Sequence, residues 1–303
     1  MTVSLPKLGR LRVNSVLYGN EPDRITQAIS HLERAAYVAL RAGVFDQVEL
    51  AYGDCSPREE LRDTVLAGNA DGSALARVEY VFFDANLGSA QGHNRLLELA
   101  NSEFVLIMNP DIMMAPNALV ELARSFNDNK VGMAEAKQLP IEHPKVYDPV
   151  SGETSWAATA CTLVPRHVIN ALEGFDYRTF FLYCDDVDFS WRVKLAGYKV
   201  VYCPGAAAFH DKRLGPEGSW VVGWAEKYYS AEAALLLAYK YSRDDLVAEI
   251  SNHFSTSGDD VWLKALAEFQ RRKAAGELPV QLDHDRRVAV FTNGAYANHR
   301  FAM

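Results

Sequence analysis

Apolar positions in the first half of the chain alternate between two spacings. Leu11 to Leu17 is a short apolar run that predicts a strand, and Glu21 to Ala42 then carries Ile25, Ala28, Ile29, Leu32 and Ala36 at helical spacing. The same alternation continues with strands at Gln47–Tyr52, Val78–Phe83 and Phe104–Met108, and helices at Ser89–Ala100 and Ala115–Phe126. Strands alternating with helices predict an α/β fold, a mostly parallel sheet flanked by helices. Ligands of such sheets gather at the C-terminal ends of the strands. Here those ends read Tyr18-Gly19-Asn20, Gly53-Asp54, Asp84-Ala85-Asn86 and Asn109-Pro110-Asp111, all polar and turn-forming.

The pattern then loosens. Residues Asn127 to Trp156 read as irregular, with a strand pair and long loops as the most structure expected there. Ala157–Val164 is small and apolar, Pro165 opens a helix to Leu172, Asp186–Ala196 is a helix closed by Gly197, and Tyr198–Tyr202 is a strand ending in the turn Pro204-Gly205. From Trp220 onward the chain reads as helical. Residues 1–215 are therefore expected to form the main domain, its second half from about residue 130, and residues 216–303 a helical appendage. Tyr228, Ala231, Leu235, Ala238 and Tyr239 make an apolar stripe on its first helix. That stripe, with Trp220, Trp224 and Tyr229, suggests self-association as a homodimer or a surface for a substrate; packing against the main domain is the competing reading.

Composition narrows the function. The chain has 303 residues, 49% of them hydrophobic, enough for a filled core. Its formal charge of −8 argues against nucleic acid as a partner, because phosphate neutralisation needs clustered Lys and Arg. Met1 to Pro6 lacks a basic-then-apolar leader pattern, and the most apolar helical stretch, Ala231–Ala238, is too short to cross a bilayer. These features point to a soluble cytoplasmic protein. Cys55, Cys161, Cys184 and Cys203 fit no zinc spacing and read as small buried hydrophobes.

Three clusters carry candidate chemistry. Asp111, at a strand end beside the rigid Pro110, can grip a hard divalent cation, although Asn109-Pro110-Asp111 is also ordinary turn chemistry. In Asp185-Asp186-Val187-Asp188, three carboxylates repel one another unless a cation or a proton transfer uses them. Asp185 can cap the following helix and Asp188 can pair with Arg192 one turn on, whereas Asp186 has only Phe189 and Ser190 at helical spacing. His210 is a lone imidazole whose company gives it interest.

Taken together, these segments resemble the family-two group of GT-A glycosyltransferases, particularly its rhamnosyltransferase-like bacterial members. Asn86-Leu87-Gly88-Ser89-Ala90-Gln91-Gly92-His93-Asn94 resembles the family's Asn-x-Gly-x-x-x-Gly-x-Asn stretch, and Asn109-Pro110-Asp111 its metal motif. Gly174-Phe175-Asp176, Phe181-x-Tyr183, Asp185-Asp186-Val187-Asp188 with Arg192, and Pro204 with His210 resemble the blocks that follow. The matches run in order from about Val13 to His210. Two departures stand out: Asn109 where many relatives have Asp, and Asp185-Asp186 where Glu-Asp is usual.

The resemblance implies a GT-A (Rossmann-like) fold and an inverting glycosyltransferase. The donor would be a UDP- or dTDP-sugar, and the acceptor a glycan or lipid-linked glycan in surface polysaccharide synthesis. Contact with the inner face of the membrane would be peripheral at most. Asp54 would accept the N3–H of uracil or thymine, with Tyr18 and Asn20 lining the nucleoside pocket and Asn86, Gly88, Asn94 and Asn109 on the donor side. Asp111 and His210 would hold Mn2+ or Mg2+. Asp186 would be the general base, with Asp185 and Asp188 beside it. Lys212 and Arg213, in a Gly- and Pro-containing loop from His210 to Ser219, would meet the diphosphate as that loop closes. Two other functions compete: a sugar-nucleotide nucleotidyltransferase, for which the acidic stretch Tyr18–Asp23 is a poor phosphate cradle, and a non-catalytic nucleotide-sugar-binding partner.

Overall fold

The computed structural model describes residues 4–99, 101–142, 146–210 and 222–297. The His210–Ser219 loop, with Lys212 and Arg213, lies outside the described residues apart from His210 itself.

The first half follows its hydrophobic pattern closely. Strand β1 (Arg10–Leu17) leads into helix α1 (Pro22–Arg41), which starts on Pro22, a residue suited to a first helical turn, and buries Ile25, Ala28, Ile29, Leu32, Ala35, Ala36 and Ala39 along one face. Strand β2 (Gln47–Asp54) is followed by the short helix α2 (Arg62–Leu66), β3 (Arg77–Phe82), α3 (Gly88–Glu98) and β4 (Phe104–Met108). Parallel pairing joins β3 to β2, β2 to β1 and β1 to β4. Their C-terminal ends therefore open on one edge, and the interiors of β1, β2 and β4 are almost continuously buried, while β3 at the sheet margin buries only Val78 and Tyr80. Arg12, charged within buried β1, is held by Glu49 on β2 and Glu79 on β3.

The second half departs from the sequence expectation. Strand β5 (Ile112–Met114) is too short to leave a periodic signal. After α4 (Ala118–Arg124) and a single 3-10 turn at Ser125–Asn127, the supposedly irregular region begins with a nine-residue strand, β6 (Val131–Leu139). Glu135, Lys137 and Gln138 break its apolar pattern. Strand β7 (Cys161–Pro165), helix α5 (Arg166–Ala171) and helix α6 (Asp185–Leu195) precede β8 (Lys199–His210). The expected strand end at Tyr202 is corrected here. Residues Pro204, Gly205 and Ala206 are not a terminating turn but a bulge, since Ala136 pairs with Cys203 and Lys137 with Ala207, and the strand runs on to His210. The sheet order is β3-β2-β1-β4-β7-β6-β8-β5. The parallel half is thus joined through antiparallel β7 to a mixed half in which β6 and β8 run parallel and β5 pairs antiparallel with β8.

Helices α7 (Trp224–Lys240), α8 (Asp244–Thr256) and α9 (Asp260–Ala275) close the chain. They are not an appendage with a free stripe. Ala231, Leu235 and Ala238 are buried, and one apolar cluster joins α7–α9 to Trp156, Phe180, Cys184, Val187 and Trp191. The cluster crosses the expected boundary at residue 215; of the surface that suggested a homodimer, Ala231, Leu235 and Ala238 are covered within the chain, Tyr228, Tyr229 and Tyr239 are partly buried, Trp224 is exposed, and Trp220 lies outside the described residues. Among the described residues no helix is long and apolar enough to cross a membrane. The four cysteines are free; Cys55, Cys161 and Cys184 are buried and Cys203 is partly so.

Candidate active site

The polar ends of β1, β2, β3 and β4 share one edge of the sheet, and the chain brings further groups to it. At β1, Tyr18 is 58% exposed, its backbone N–H donating to Asn20 Oδ1 (2.9 Å), while Gly19 N–H donates to Ser56 Oγ (2.9 Å). These bonds tie the turn after β1 to the turn after β2. Asp54 anchors that second turn. It is fully buried, accepting from Ser56 N–H (2.8 Å) and from the Tyr80 hydroxyl (2.6 Å). Both carboxylate oxygens are thus engaged inside the fold, and Asp54 shapes the rim loop rather than facing out from it.

The Asn86–Asn94 stretch divides into two jobs. Asn86 is exposed and accepts from Gly88 N–H (3.3 Å) at the start of α3. Gly88 has φ +70°, and a Cβ there would overlap the Phe181 carbonyl oxygen, so only glycine lets α3 approach that loop. Ser89 N–H donates to the same carbonyl (3.1 Å). Farther along α3, Asn94 is spent on structure: its amide donates to Phe175 O (2.8 Å) and accepts from Phe175 N–H (2.8 Å), leaving it clamped to the Gly174-Phe175 turn and away from the rim. His93 beside it is a buried core histidine near the Phe175 ring, its pKa pressed down to about 4 by burial.

The acidic cluster also separates. Asp188 is fully buried and held by Arg192 (2.8 Å), Lys240 (2.6 Å) and the Tyr241 hydroxyl (3.1 Å). This corrects its place among the catalytic candidates: a carboxylate clamped by two cations and a phenol is a packing element. Lys240 also reaches Asp176 (2.7 Å), and Arg192 donates to the carbonyls of Leu172 and Gly174, so the whole Gly174…Arg192 block is cross-braced. Asp185 is 5% exposed at the start of α6 and interacts with Ser89; burial, then the neighbouring Asp186, raises its pKa to about 7. Asp186 is partly exposed, one oxygen accepting from Val187 N–H (2.8 Å). The chain enters α6 through Tyr183 and Cys184, two consecutive non-glycine residues at φ 64° and 57°. Such backbone strain is retained where the surrounding structure enforces it, commonly at functional sites.

Asp111 and His210, 99 positions apart, meet because Ile112 pairs with His210 in the β5–β8 ladder. His210 Nε2 lies 3.3 Å from Asp111 Oδ2 and 3.5 Å from Asn109 Nδ2. Its other nitrogen, Nδ1–H, donates to Gln138 Oε1 (2.8 Å), and the buried Gln138 amide leans on Glu135 (3.5 Å). A neutral ring with its proton on Nδ1 presents the Nε2 lone pair on the side of Asp111, where a cation set between the two would be held by both. Two ligands of one divalent ion, each about 2.1 Å from it, stand about 3 Å apart at a right angle. The pair therefore fits a chelate, with the outer hydrogen bond that metal-bound histidines ordinarily make. Among the described residues no third His, Cys, Asp or Glu joins them. Mg2+ and its like, held by one or two protein ligands, commonly fill the remaining positions with substrate phosphate and water.

Sequence reasoning missed Gln138, which lies in a region expected to hold at most a strand pair with long loops, and the Lys240–Tyr241 clamp, which comes from a region thought remote. Neither left a signal: both act across the fold.

No family model matches the chain. A stretch of 65 residues is 37% identical to the N-acetylglucosaminyl-diphospho-decaprenol L-rhamnosyltransferase of Mycobacterium tuberculosis (strain CDC 1551 / Oshkosh), covering 22% of this chain and 21% of that protein. The match thus spans about a fifth of that relative's length. The rhamnosyltransferase WbbL of Escherichia coli (strain K12) is 22% identical over 208 residues, 54% of this chain and 78% of that protein. Among solved structures, the mannosyltransferase PcManGT of Pyrobaculum calidifontis, in complex with GDP-Man and Mn2+, superposes with a TM-score of 0.56 at 17% identity, over 88% of this chain and 75% of that one.

Proposed function

We propose that this chain, which has the GT-A glycosyltransferase fold and is rhamnosyltransferase-like in sequence, transfers a sugar from a nucleoside-diphosphate donor to an acceptor hydroxyl during bacterial cell-surface polysaccharide synthesis. The finer reading is a metal-dependent, inverting reaction with a UDP- or dTDP-sugar. The observation that carries it is the Asp111–His210 pair, spaced for a chelate on the same edge of the sheet as Asp185 and Asp186.

In this reading Asp111 and His210 hold Mn2+ or Mg2+, with Asn109 beside them and Gln138 fixing the His210 tautomer. The cation supplies charge neutralisation for the departing diphosphate. The turn that bears Tyr18, Asn20 and Ser56 receives the nucleoside, organised from beneath by Asp54. Asn86 and Gly88 bring the start of α3 to the donor side. Asp186, the more exposed of the adjoining carboxylates, takes the proton of the acceptor hydroxyl, and attack opposite the leaving group inverts the anomeric centre. Asp185 sits beneath it against Ser89.

The direct test is release of nucleoside diphosphate from a panel of nucleotide sugars with and without Mn2+, paired with Mn2+ binding by titration. Asp111→Ala and His210→Ala are expected to weaken Mn2+ binding about 10-fold or more, as loss of one of few ligands does. Full turnover after exhaustive chelation overturns the metal assignment. Metal-dependent binding of a nucleotide sugar without any release or transfer would favour a non-catalytic binding partner instead.

A further inference from the structure

We propose that the cavity between α7, α8, α9 and the turn leading into α6 seats a neutral pyranose ring of the acceptor glycan. The proposal rests on the transferase reading above and adds to it the chemistry of the acceptor.

The cavity measures about 320 Å³, at the small end for ligand sites, and its wall is mixed. Phe254 and Trp262 stand nearly parallel with ring centres 5.3 Å apart, Lys227 Nζ lies 5.6 Å from the Trp262 ring centre, and both rings line the space together with Tyr183 and Tyr296. Tyr296 is braced edge-on against Trp156 (5.2 Å). From α7 come Glu226, Lys227 and Ser230. Aromatic walls with a few polar groups on one side match a sugar ring. Its C–H bonds, slightly positive, meet the negative face or flank of an aromatic ring, and its hydroxyls meet the polar side chains.

Charge decides against other occupants. Among the described residues that line the cavity, Lys227 is the one cation and is already paired with Asp259, and Glu226 adds a negative group, so these residues offer no surplus cation to a phosphate. A polyisoprenyl chain would leave Glu226, Lys227 and Ser230 facing hydrocarbon, which is costly. A neutral polyhydroxylated ring suits both conditions.

Position ties the cavity to the reaction. Cys184, part of its wall, is the residue immediately before Asp185 and Asp186. On the other side of this loop lies the donor rim: Tyr229 packs on Phe181 (4.9 Å) and stands within electrostatic reach of Tyr18, and the Phe181 carbonyl holds Ser89. The strained Tyr183–Cys184 turn therefore separates donor rim from cavity and carries the proposed base between them.

The test reads binding without turnover. The full chain, saturated with UDP and Mn2+, is titrated with methyl β-N-acetylglucosaminide, methyl α-rhamnoside and methyl α-glucoside, and separately with farnesyl phosphate. At least one pyranoside is expected to bind in the millimolar range. Ser230→Phe, which fills the cavity, and Trp262→Ala, which strips its aromatic wall, should each weaken that binding at least tenfold. Melting curves confirm that the variants fold, and UDP affinity, read in the same samples, checks the donor side. The proposal is overturned if no pyranoside binds, if both variants bind as wild type does, or if farnesyl phosphate alone binds and is displaced by filling the cavity. Donor hydrolysis by wild type, measured in parallel, separates the two ideas. Hydrolysis with no pyranoside binding removes the cavity assignment only, whereas pyranoside binding with no hydrolysis of any nucleotide sugar removes the transferase reading.

Discussion

Neighbouring carboxylates in this protein differ by where their oxygens point. Asp186 is partly exposed at the first turn of α6, and Asp186→Asn is expected to cut transfer by about a hundredfold to ten-thousandfold, the usual range for a lost general base, with nucleoside diphosphate affinity little changed. Steady-state rates set against calorimetric UDP binding would show it; retention of more than half the wild-type rate would move the base elsewhere. Asp185 carries a second prediction, about stability. Its pKa is raised by burial to about 7, so the folded state keeps a proton that the unfolded chain releases near the ordinary carboxylate value. That contribution is fully present at low pH and is lost as pH rises through about 7. His93 acts oppositely over much of the same window: its folded pKa is about 4, and the unfolded chain gains a proton below about 6.5, so stability falls as the solution is acidified. In wild type the two offset each other between about pH 4 and 6.5. Asp185→Asn removes one of them. Its melting temperature should rise with pH across that window and exceed wild type at pH 8; a variant curve parallel to wild type would count against the raised pKa.

At the level of elements, α6 is held by helix α7 as much as by the sheet. Asp188 on α6 meets Lys240 and Tyr241 from the end of α7, and Arg192 returns to the Gly174 turn. Removing one partner of a buried ion pair strands the other charge, at a cost of about 3–5 kcal/mol. Lys240 keeps Asp176 and Arg192 keeps the Leu172 and Gly174 carbonyls, so Asp188→Asn should lower unfolding free energy by about 3 kcal/mol, the low end of that range, and lose activity only in proportion to the fraction unfolded. Chemical denaturation measured beside specific activity at low temperature separates the two effects. An Asp188→Asn protein with wild-type stability and no activity would return Asp188 to the chemistry. The three-residue bulge at Pro204–Ala206 acts on the same scale. It lets β8 keep pairing with β6 while carrying His210 to the end of β5, where Asp111 waits.

For the molecule as a whole, the C-terminal helices complete the core. Leu246, Ile250, Phe254, Leu266 and Phe269 from α8 and α9 are buried in the cluster that also contains Trp191 of α6. Each such side chain contributes about 1.5–3 kcal/mol on burial, and the sum over five rivals the whole 5–15 kcal/mol by which a typical domain is stable. Cutting the chain after Tyr241 is thus expected to give a protein without a cooperative melting transition. A soluble, cooperatively melting fragment that still binds nucleotide would show that residues 1–241 fold alone.

The amino-acid sequence by itself determined the parallel half of the fold. From β1 to β4 the hydrophobic spacing is local, β1, β2 and β4 are buried almost throughout, and the turn residues fall where the strands end, so period and punctuation agree. It also marked Asp111, Asp186 and His210 through their order along the chain, and foresaw the Asp188–Arg192 pair because those residues lie one helical turn apart. Tertiary structure alone decided the rest. β6 buries Glu135 and Gln138, which its periodicity does not announce, because Gln138 is met by His210 of β8 and in turn by Glu135 beside it. Asp54 and Asn94 look like ligand-facing residues in sequence, yet the fold turns both inward to Tyr80 and to the Phe175 backbone. The meeting of Asp111 with His210, and of Lys240 with Asp188, spans long stretches of chain, and contacts of that range are set by strand order and helix packing rather than by neighbours in the sequence.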